Sequence, residues 1–176
     1  MIYTTYYSSP IGKIMTASGG ESIVGLWFEG QKYYGGIIKE EMVVKDDLPI
    51  FQKLKKWLDR YFNGKKPDIY ELPLEPAGSD FQKEVWKILC QIPYGKCMTY
   101  GDIAKQIAAK MGKKNISAQA VGGAVGRNPI SIIIPCHRVI GANGNLTGYA
   151  GGIDKKIALL KNEGFDVERL HDAVRK

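Results

Sequence analysis

The chain has 176 residues, 44% of them hydrophobic, which is enough for one ordinary domain or two small ones and excludes a disordered or fibrous protein. Its N-terminal MIYTTYYSSP has no basic segment followed by an apolar run, and no later stretch approaches the roughly 20 apolar residues that span a bilayer, so a soluble, cytoplasmic protein with no membrane contact is expected. The net charge of +7 is unevenly spread: residues 1–78 carry ten basic and ten acidic side chains, 79–130 eight and three, and 131–176 seven and five. The whole excess lies beyond Gly78, as it would in a domain that neutralises phosphates; a solvated basic face with no partner gives the same pattern.

In chain order, IYTTYY, GKIMTAS and SIVGLWF are short, rich in β-branched and aromatic residues, and punctuated by SSP and GGE. They read as adjacent strands of a small antiparallel sheet. The period then changes. In PIFQKLKKWLDRYFNG, Phe51, Leu54, Leu58, Tyr61 and Phe62 share a face while Lys55, Lys56 and Asp59 look to water, with Pro49 at the start and Gly64 at the stop: a helix covering one side of the sheet. Residues 65–78, with three prolines, read as an extended connector, and Gly78 as the boundary between a first domain, 1–78, and a second, 79–176.

The second domain is mainly helical. Ser79 is placed to cap a helix with Gln82 at the reciprocal position, and Phe81, Val85, Trp86 and Leu89 supply its apolar face. Thr99 repeats the cap before Ile103, Ala104, Ile107, Ala108 and Met111; GKKN makes a loop; Ser117 opens a third helix through AQAVGGAV. Two short helices around a basic loop, preceded by another, form a helix-turn-helix candidate whose connection is longer than the tightest version. The third helix is almost bare. Glycine costs helical stability, so Gly122 and Gly123 among Ala118, Ala120 and Ala124 point to a close backbone approach, by a nucleic acid or by a neighbouring helix.

SIIIPCHRVIG follows. Ile132, Ile133 and Ile134 read as a short buried strand that Pro135 terminates, and Cys136 there is either a small packed side chain or a reactive thiol. Three cysteines, Cys90, Cys97 and Cys136, cannot all pair, and free thiols fit a reducing compartment. With two histidines and no close pair of cysteines, no metal site is expected. If His137 reaches the thiol it can accept the proton, while Arg138 and helix N-termini would lower the thiol pKa. Glu163 could orient His137 from its other nitrogen, although by spacing alone a glutamate at a helix end is a surface residue.

FQKEVWKILCQIPYGKCMTYGDIA, AVGGAVGRNP, IPCHRVIG, LTGYAGG and ALLKNEG, in that order over Ser79–Gly164, strongly resemble the O6-alkylguanine-DNA alkyltransferases, or methylated-DNA–protein-cysteine methyltransferases. The resemblance implies an α/β fold: a small N-terminal antiparallel sheet with a covering helix, then a mainly helical, winged-helix-like DNA-binding domain carrying the active cysteine. It implies a monomer that uses no cofactor and acts on double-stranded DNA containing O6-alkylguanine. Cys136 would take the alkyl group, chiefly methyl, irreversibly and once per molecule, with a minor activity on O4-alkylthymine. His137 would be the water-relayed base, Glu163 its orienter, and Tyr100 a phosphate contact and proton donor to the leaving guanine. Asn128 would support the hinge before the cysteine, Tyr149 would belong to the pocket, and backbone around Val139 and Cys136 would read the base. Ala118, Ala120 and Gly122 would let the third helix enter the minor groove.

Two features depart from the family pattern. Gln119 stands where an arginine commonly fills the gap left by the flipped base, and Arg127 is the nearest candidate to compensate. The loop from Met111 to Ser117 is longer than in shorter members. Some members carry an N-terminal zinc site of cysteine and histidine, but residues 1–78 contain neither residue, so that site is not expected here. Three rivals remain at this point: a transcription-factor module with a structural Cys136, an alkyltransferase-like protein that binds lesions without repairing them, and a cysteine hydrolase. Retention of Cys136 within IPCHR argues against the second, and no regulatory appendage or water-activating feature supports the others.

Overall fold

A computed structural model describes residues 1–146 and 148–172; Thr147, within LTGYAGG, and residues 173–176, at the end of the second domain, lie outside them. Strands β1 (Ile2–Ser9), β2 (Gly12–Ser18) and β3 (Ile23–Phe28) form an antiparallel meander, with Tyr3 opposite Ser18 and Ile14 opposite Phe28. A short β4 (Met42–Val44) adds to β1 in parallel, giving the order β3-β2-β1-β4. Three residues are too few to show a period, which is why this strand is invisible in the sequence.

Helix α1 (Pro49–Phe62) has proline in its first turn and ends before Gly64, whose φ of 77° only glycine adopts cheaply. It buries Phe51, Leu54, Leu58 and Tyr61 as the periodicity predicts, and also Trp57, which stacks on Tyr61 with ring centroids 5.7 Å apart. The Trp57 indole N–H donates to the Asp68 carbonyl at 2.9 Å, satisfying its polar end inside the core. The connector is not extended throughout: it makes a 3₁₀ turn at Ile69–Glu71, capped by Asp68, and only then runs beside β3, exchanging hydrogen bonds between Ile23 and both Pro73 and Glu75.

The caps of the helical part are where their residues predict. Helix α2 (Asp80–Leu89) carries the full capping box of Ser79 and Gln82, α3 (Tyr100–Lys110) is capped by Thr99, and α4 (Ala118–Gly126) by Ser117. The Trp86 indole N–H donates to the Ala124 carbonyl at 2.9 Å and so locks α2 against α4. Between α2 and α3 lies β5 (Met98–Thr99), which pairs in parallel with β6 (Val139–Ile140); β7 (Asn145–Leu146), α5 (Ile153–Asn162) and β8 (His171–Asp172) complete the chain. One apolar cluster runs through Phe28, Leu54, Trp86, Ile103, Val121 and Leu159, so sheet and helices share a core. Among the described residues no helix is long and apolar enough to cross a membrane.

The expected strand over Ile132–Ile134 is not there. All three isoleucines are buried, but the backbone makes a tight turn, with Ile132 at φ 69°, a conformation that β-branched residues avoid. Asn128 is the cause. Its side chain accepts from the Ile130 N–H at 3.0 Å and donates to the carbonyls of Ile130 and Ile134 at 3.3 and 2.8 Å, taking backbone groups that a strand would offer to a neighbour. Cys136–Arg138 then form a short 3₁₀ turn beyond Pro135.

Asn128→Ala strands these buried groups and is expected to lower unfolding free energy by about 2–4 kcal/mol in urea denaturation. A loss within measurement error would mean that the turn is held by packing alone.

Candidate active site

The 3₁₀ turn decides how adjacent side chains are aimed. On a straight strand Cys136 and His137 would face opposite ways. In the turn, Cys136 reaches the wall of a cavity of about 920 Å³, while His137, fully buried, packs behind it. The cavity is lined by Tyr100 from the start of α3, Ala118, Gln119 and Gly122 from α4, Arg127 at its end, and Tyr149 from the loop before α5. Lys32 and Tyr33, from the segment between β3 and β4, close the other side. Ala120 is exposed on α4 but off the wall, and Val139 is buried in β6 behind it.

Behind Cys136 lies Glu163. The expectation of a surface residue fails: its carboxylate sits in the interior and accepts five hydrogen bonds. Oε2 accepts from His137 Nε2 at 2.6 Å, from the Tyr61 hydroxyl at 2.6 Å and from Arg138 Nη2 at 3.1 Å; Oε1 accepts from Arg138 Nε at 2.8 Å and from the Gly95 N–H at 3.0 Å. Gly95 has φ 77°, and a Cβ there would stand 2.9 Å from the Glu163 carbonyl oxygen, so both backbone conformation and space demand glycine.

The charges follow from these contacts. Burial pushes the Glu163 carboxyl up, but His137 and Arg138 overcome it and hold it well below the usual carboxylate range. Burial pushes His137 down, against the pull of Glu163, so the ring is neutral at neutral pH. An ionised Glu163 cannot donate, so the Nε2 atom of this neutral ring carries the hydrogen, leaving Nδ1 as the acceptor. Nδ1 has no hydrogen-bond partner among the described residues. Arg138, expected beside the thiol, instead grips Glu163 through both oxygens and donates Nη1 to the Ile92 carbonyl at 2.7 Å.

Burial likewise raises the Cys136 thiol above its ordinary value, the reverse of the lowering expected from Arg138. The opposing influences are the Asn128 side chain, Lys156, the local backbone and Tyr149. Lys156 is fully buried on α5, two helical turns before Glu163 and on the same face, and burial lowers its pKa to about 8 against the pull of Cys136 and Cys97. The Tyr149 hydroxyl lies against Cys136 and Ser131 without closing a hydrogen bond of good geometry to either. A Cβ at Gly151 would stand 2.8 Å from the Tyr149 ring, so glycine lets that ring pack down beside the cavity.

The family resemblance paired His137 with Glu163, which the structure brings together, whereas Tyr61, Gly95, Lys156, Lys32 and Tyr33 were missed. The seven-residue spacing of Lys156 and Glu163 was a usable signal, because two helical turns bring both to one face. No local pattern connects Tyr61 to Glu163 across 102 residues.

Comparison with known proteins agrees with this architecture. Residues 80–165 match the model of the 6-O-methylguanine DNA methyltransferase DNA-binding domain, and residues 2–76 that of the ribonuclease-like domain of the same family. The chain belongs to the 6-O-methylguanine DNA methyltransferase family. It is 43% identical over 162 residues to the methylated-DNA–protein-cysteine methyltransferase of Haemophilus influenzae, covering 92% of this chain and 86% of that one. It is 45% identical to the Methanosarcina barkeri protein of the same name, covering 92% and 97%. The crystal structure of Mycobacterium tuberculosis OGT in complex with DNA superposes with a TM-score of 0.81 at 40% identity, covering 96% of this chain and 94% of that one.

Glu163 has a folded pKa below its unfolded value of about 4.3. Its contribution to stability is thus fully present above about pH 4.3 and lost as pH falls through the folded value. Glu163→Gln, which leaves Arg138 buried without its counter-charge, is expected to lower stability by about 3–5 kcal/mol at pH 7. The gap to the unaltered protein should narrow in urea denaturations run below about pH 4; a gap independent of pH would contradict an ionised Glu163.

Proposed function

We propose that the chain repairs double-stranded DNA by moving an alkyl group, chiefly methyl, from guanine O6 to Cys136, once per molecule and without a cofactor. The observation that carries this reading is a cavity-lining Cys136 followed directly in the same 3₁₀ turn by a His137 bonded to buried Glu163, inside a chain of this family. Methylated DNA is what the names of the relatives state, and a bound DNA is what the M. tuberculosis structure contains.

In this mechanism His137 Nδ1 takes the Cys136 proton, directly or through a water, and Glu163 stabilises the imidazolium that forms. The thiolate attacks the saturated alkyl carbon; the S–C bond forms as the C–O6 bond breaks, and the electron pair returns to guanine. Tyr100, on the opposite wall, donates a proton or hydrogen bond to that leaving group. The S–alkyl bond of the resulting thioether is stable and no group of the site displaces it, so the protein does not turn over. A resting thiol that burial keeps protonated is shielded from stray electrophiles, since the thiolate is the nucleophile. The same site would act slowly on O4-alkylthymine.

O6 lies inside the duplex, so the nucleotide must leave the stack to reach Cys136. Helix α4 suits the approach to the minor groove. Added Cβ atoms at Gly123 and Gly126 would meet nothing within 4 Å, and one at Gly122 only the Tyr100 ring at 3.8 Å. A neighbouring helix therefore does not require these small residues, and the close approach they allow is to an outside partner. Gln119, exposed at the start of α4, is placed to occupy the vacated space. Arg127 lies eight residues away, about 12 Å along the helix, and its guanidinium stacks 4.3 Å from the Tyr33 ring centroid. It cannot fill the same gap and serves as a separate phosphate contact. The division into a first domain, 1–78, and a DNA-binding second domain, 79–176, goes with this reading.

After incubation with duplex O6-methylguanine, intact mass is expected to show one added methyl group, mapped to Cys136, and no repair beyond one equivalent. Repeated repair, or methylation confined to Cys90 or Cys97, would overturn the assignment. Gln119→Ala should slow single-turnover repair of duplex more than that of the free modified base, which needs no extrusion. Equal losses would remove Gln119 from that role. Over a salt series Gln119→Ala should leave the logarithmic binding slope unchanged, whereas Arg127→Ala lowers it by up to about one phosphate contact.

A further inference from the structure

The proton relay is not built from the helical part alone. Tyr61, on α1 beside the sheet, is 1% exposed, and its hydroxyl donates at 2.6 Å to Glu163 Oε2, the oxygen that also accepts from His137 Nε2. Its ring is fixed by stacking on Trp57 at 5.7 Å and by edge contacts with Phe62 and Tyr94 at 5.1 and 6.0 Å, so the hydroxyl has little freedom to turn elsewhere. Asn162, one residue before Glu163, donates to the Tyr61 carbonyl at 3.1 Å and holds the end of α5 against the same turn of α1.

We propose that Tyr61 is a positioning residue of the alkyl-transfer relay, through which the N-terminal helix sets both the orientation and the strength of Glu163 toward His137. This rests on the reading of Cys136, His137 and Glu163 as that relay. Three donors share this carboxylate oxygen, and the two short contacts compete most directly for its charge: the Tyr61 hydroxyl moderates the pull of Glu163 on the imidazole and pins the carboxylate in the plane His137 needs. Burial, and then the Glu163 charge, raise the Tyr61 pKa well above its ordinary value, so the hydroxyl remains a donor throughout the working range.

The titratable and charged groups facing this carboxylate come from every packed element. They are Tyr61 from α1, Tyr94 from the turn after α2, His137 and Arg138 from the 3₁₀ turn and Tyr149 from the cavity loop, with the Cys97 thiol nearby; Lys156 from α5 acts on His137 and on Cys136. Removing only the Tyr61 hydroxyl leaves all of these in place. The carboxylate then stabilises the imidazolium more strongly, His137 protonates at higher pH, and a protonated His137 cannot accept the thiol proton. The acid limb of the reaction must move upward.

The test compares full-length Tyr61→Phe and Tyr94→Phe with the unaltered protein. Tyr94 is the control, since its hydroxyl donates at 3.2 Å to the Asn162 carbonyl at the same interface without touching the carboxylate. Two rates are followed against pH: single-turnover methyl transfer from duplex O6-methylguanine, and alkylation of Cys136 by iodoacetamide, mapped by peptide mass. Tyr61→Phe is expected to raise the acid-limb midpoint by on the order of half a pH unit and to slow transfer several-fold, while Tyr94→Phe leaves the midpoint in place. An unmoved midpoint in Tyr61→Phe, or an equal shift in Tyr94→Phe, overturns the proposal and makes Tyr61 a structural strut. Should the unaltered protein transfer no methyl group, the repair reading fails by itself, and the iodoacetamide limb still decides the role of Tyr61. If Tyr61→Phe does not fold, the Tyr61 hydroxyl proton of the unaltered protein gives the answer. It should be protected from exchange and shifted downfield by its carboxylate partner, and an ordinary, rapidly exchanging hydroxyl would refute the contact.

Discussion

A single buried carboxylate organises this molecule. Glu163 would be costly to ionise in the interior if it stood alone, because taking a charge out of water costs several kcal/mol even after relaxation. Five donors converge on it, from α1, from the turn after α2 and from the Cys136–Arg138 turn, so satisfying one charge draws three parts of the chain to the end of α5. The contact to His137 and the bidentate grip of Arg138 together supply the compensation.

The cysteine depends on a second constraint, the turn that Asn128 ties. Capping the backbone of Ile130 and Ile134 with one side chain turns a run that reads as a strand into a buried coil, and the chain emerges at Pro135 aimed at the cavity. The thiol is then half enclosed by its own fold: in the cavity wall on one side, 5% exposed, with His137 behind. On the proposed reading, a thiolate generated only when His137 accepts its proton suits a protein that reacts once, because every stray alkylation would consume a molecule.

How legible this was from the sequence varies with the range of the interactions. The caps at Ser79, Thr99 and Ser117 are local, made within three residues, and each appears where its pattern stands. The apolar faces of α1 and α2 are legible for the same reason. Ile132–Ile134 misleads because burial and strand formation leave the same apolar run, and the side chain that chose between them is four residues upstream. Glu163 and Tyr61 lie beyond local reading altogether: a helix-end glutamate is ordinarily solvated, and the donor that makes it otherwise is 102 residues away. The family resemblance named His137 and Glu163 as partners; the structure adds the direction of the charges, with Arg138 serving the acid rather than the thiol.

The protonation state of His137 tests the account most directly. Nitrogen-15 NMR of the imidazole in the unalkylated protein at pH 7 should show a neutral ring with hydrogen on Nε2, its proton shifted far downfield by the 2.6 Å contact to Glu163, and Nδ1 unprotonated. An imidazolium at that pH, or a neutral ring with hydrogen on Nδ1, would contradict the account, because neither could accept the Cys136 proton at Nδ1.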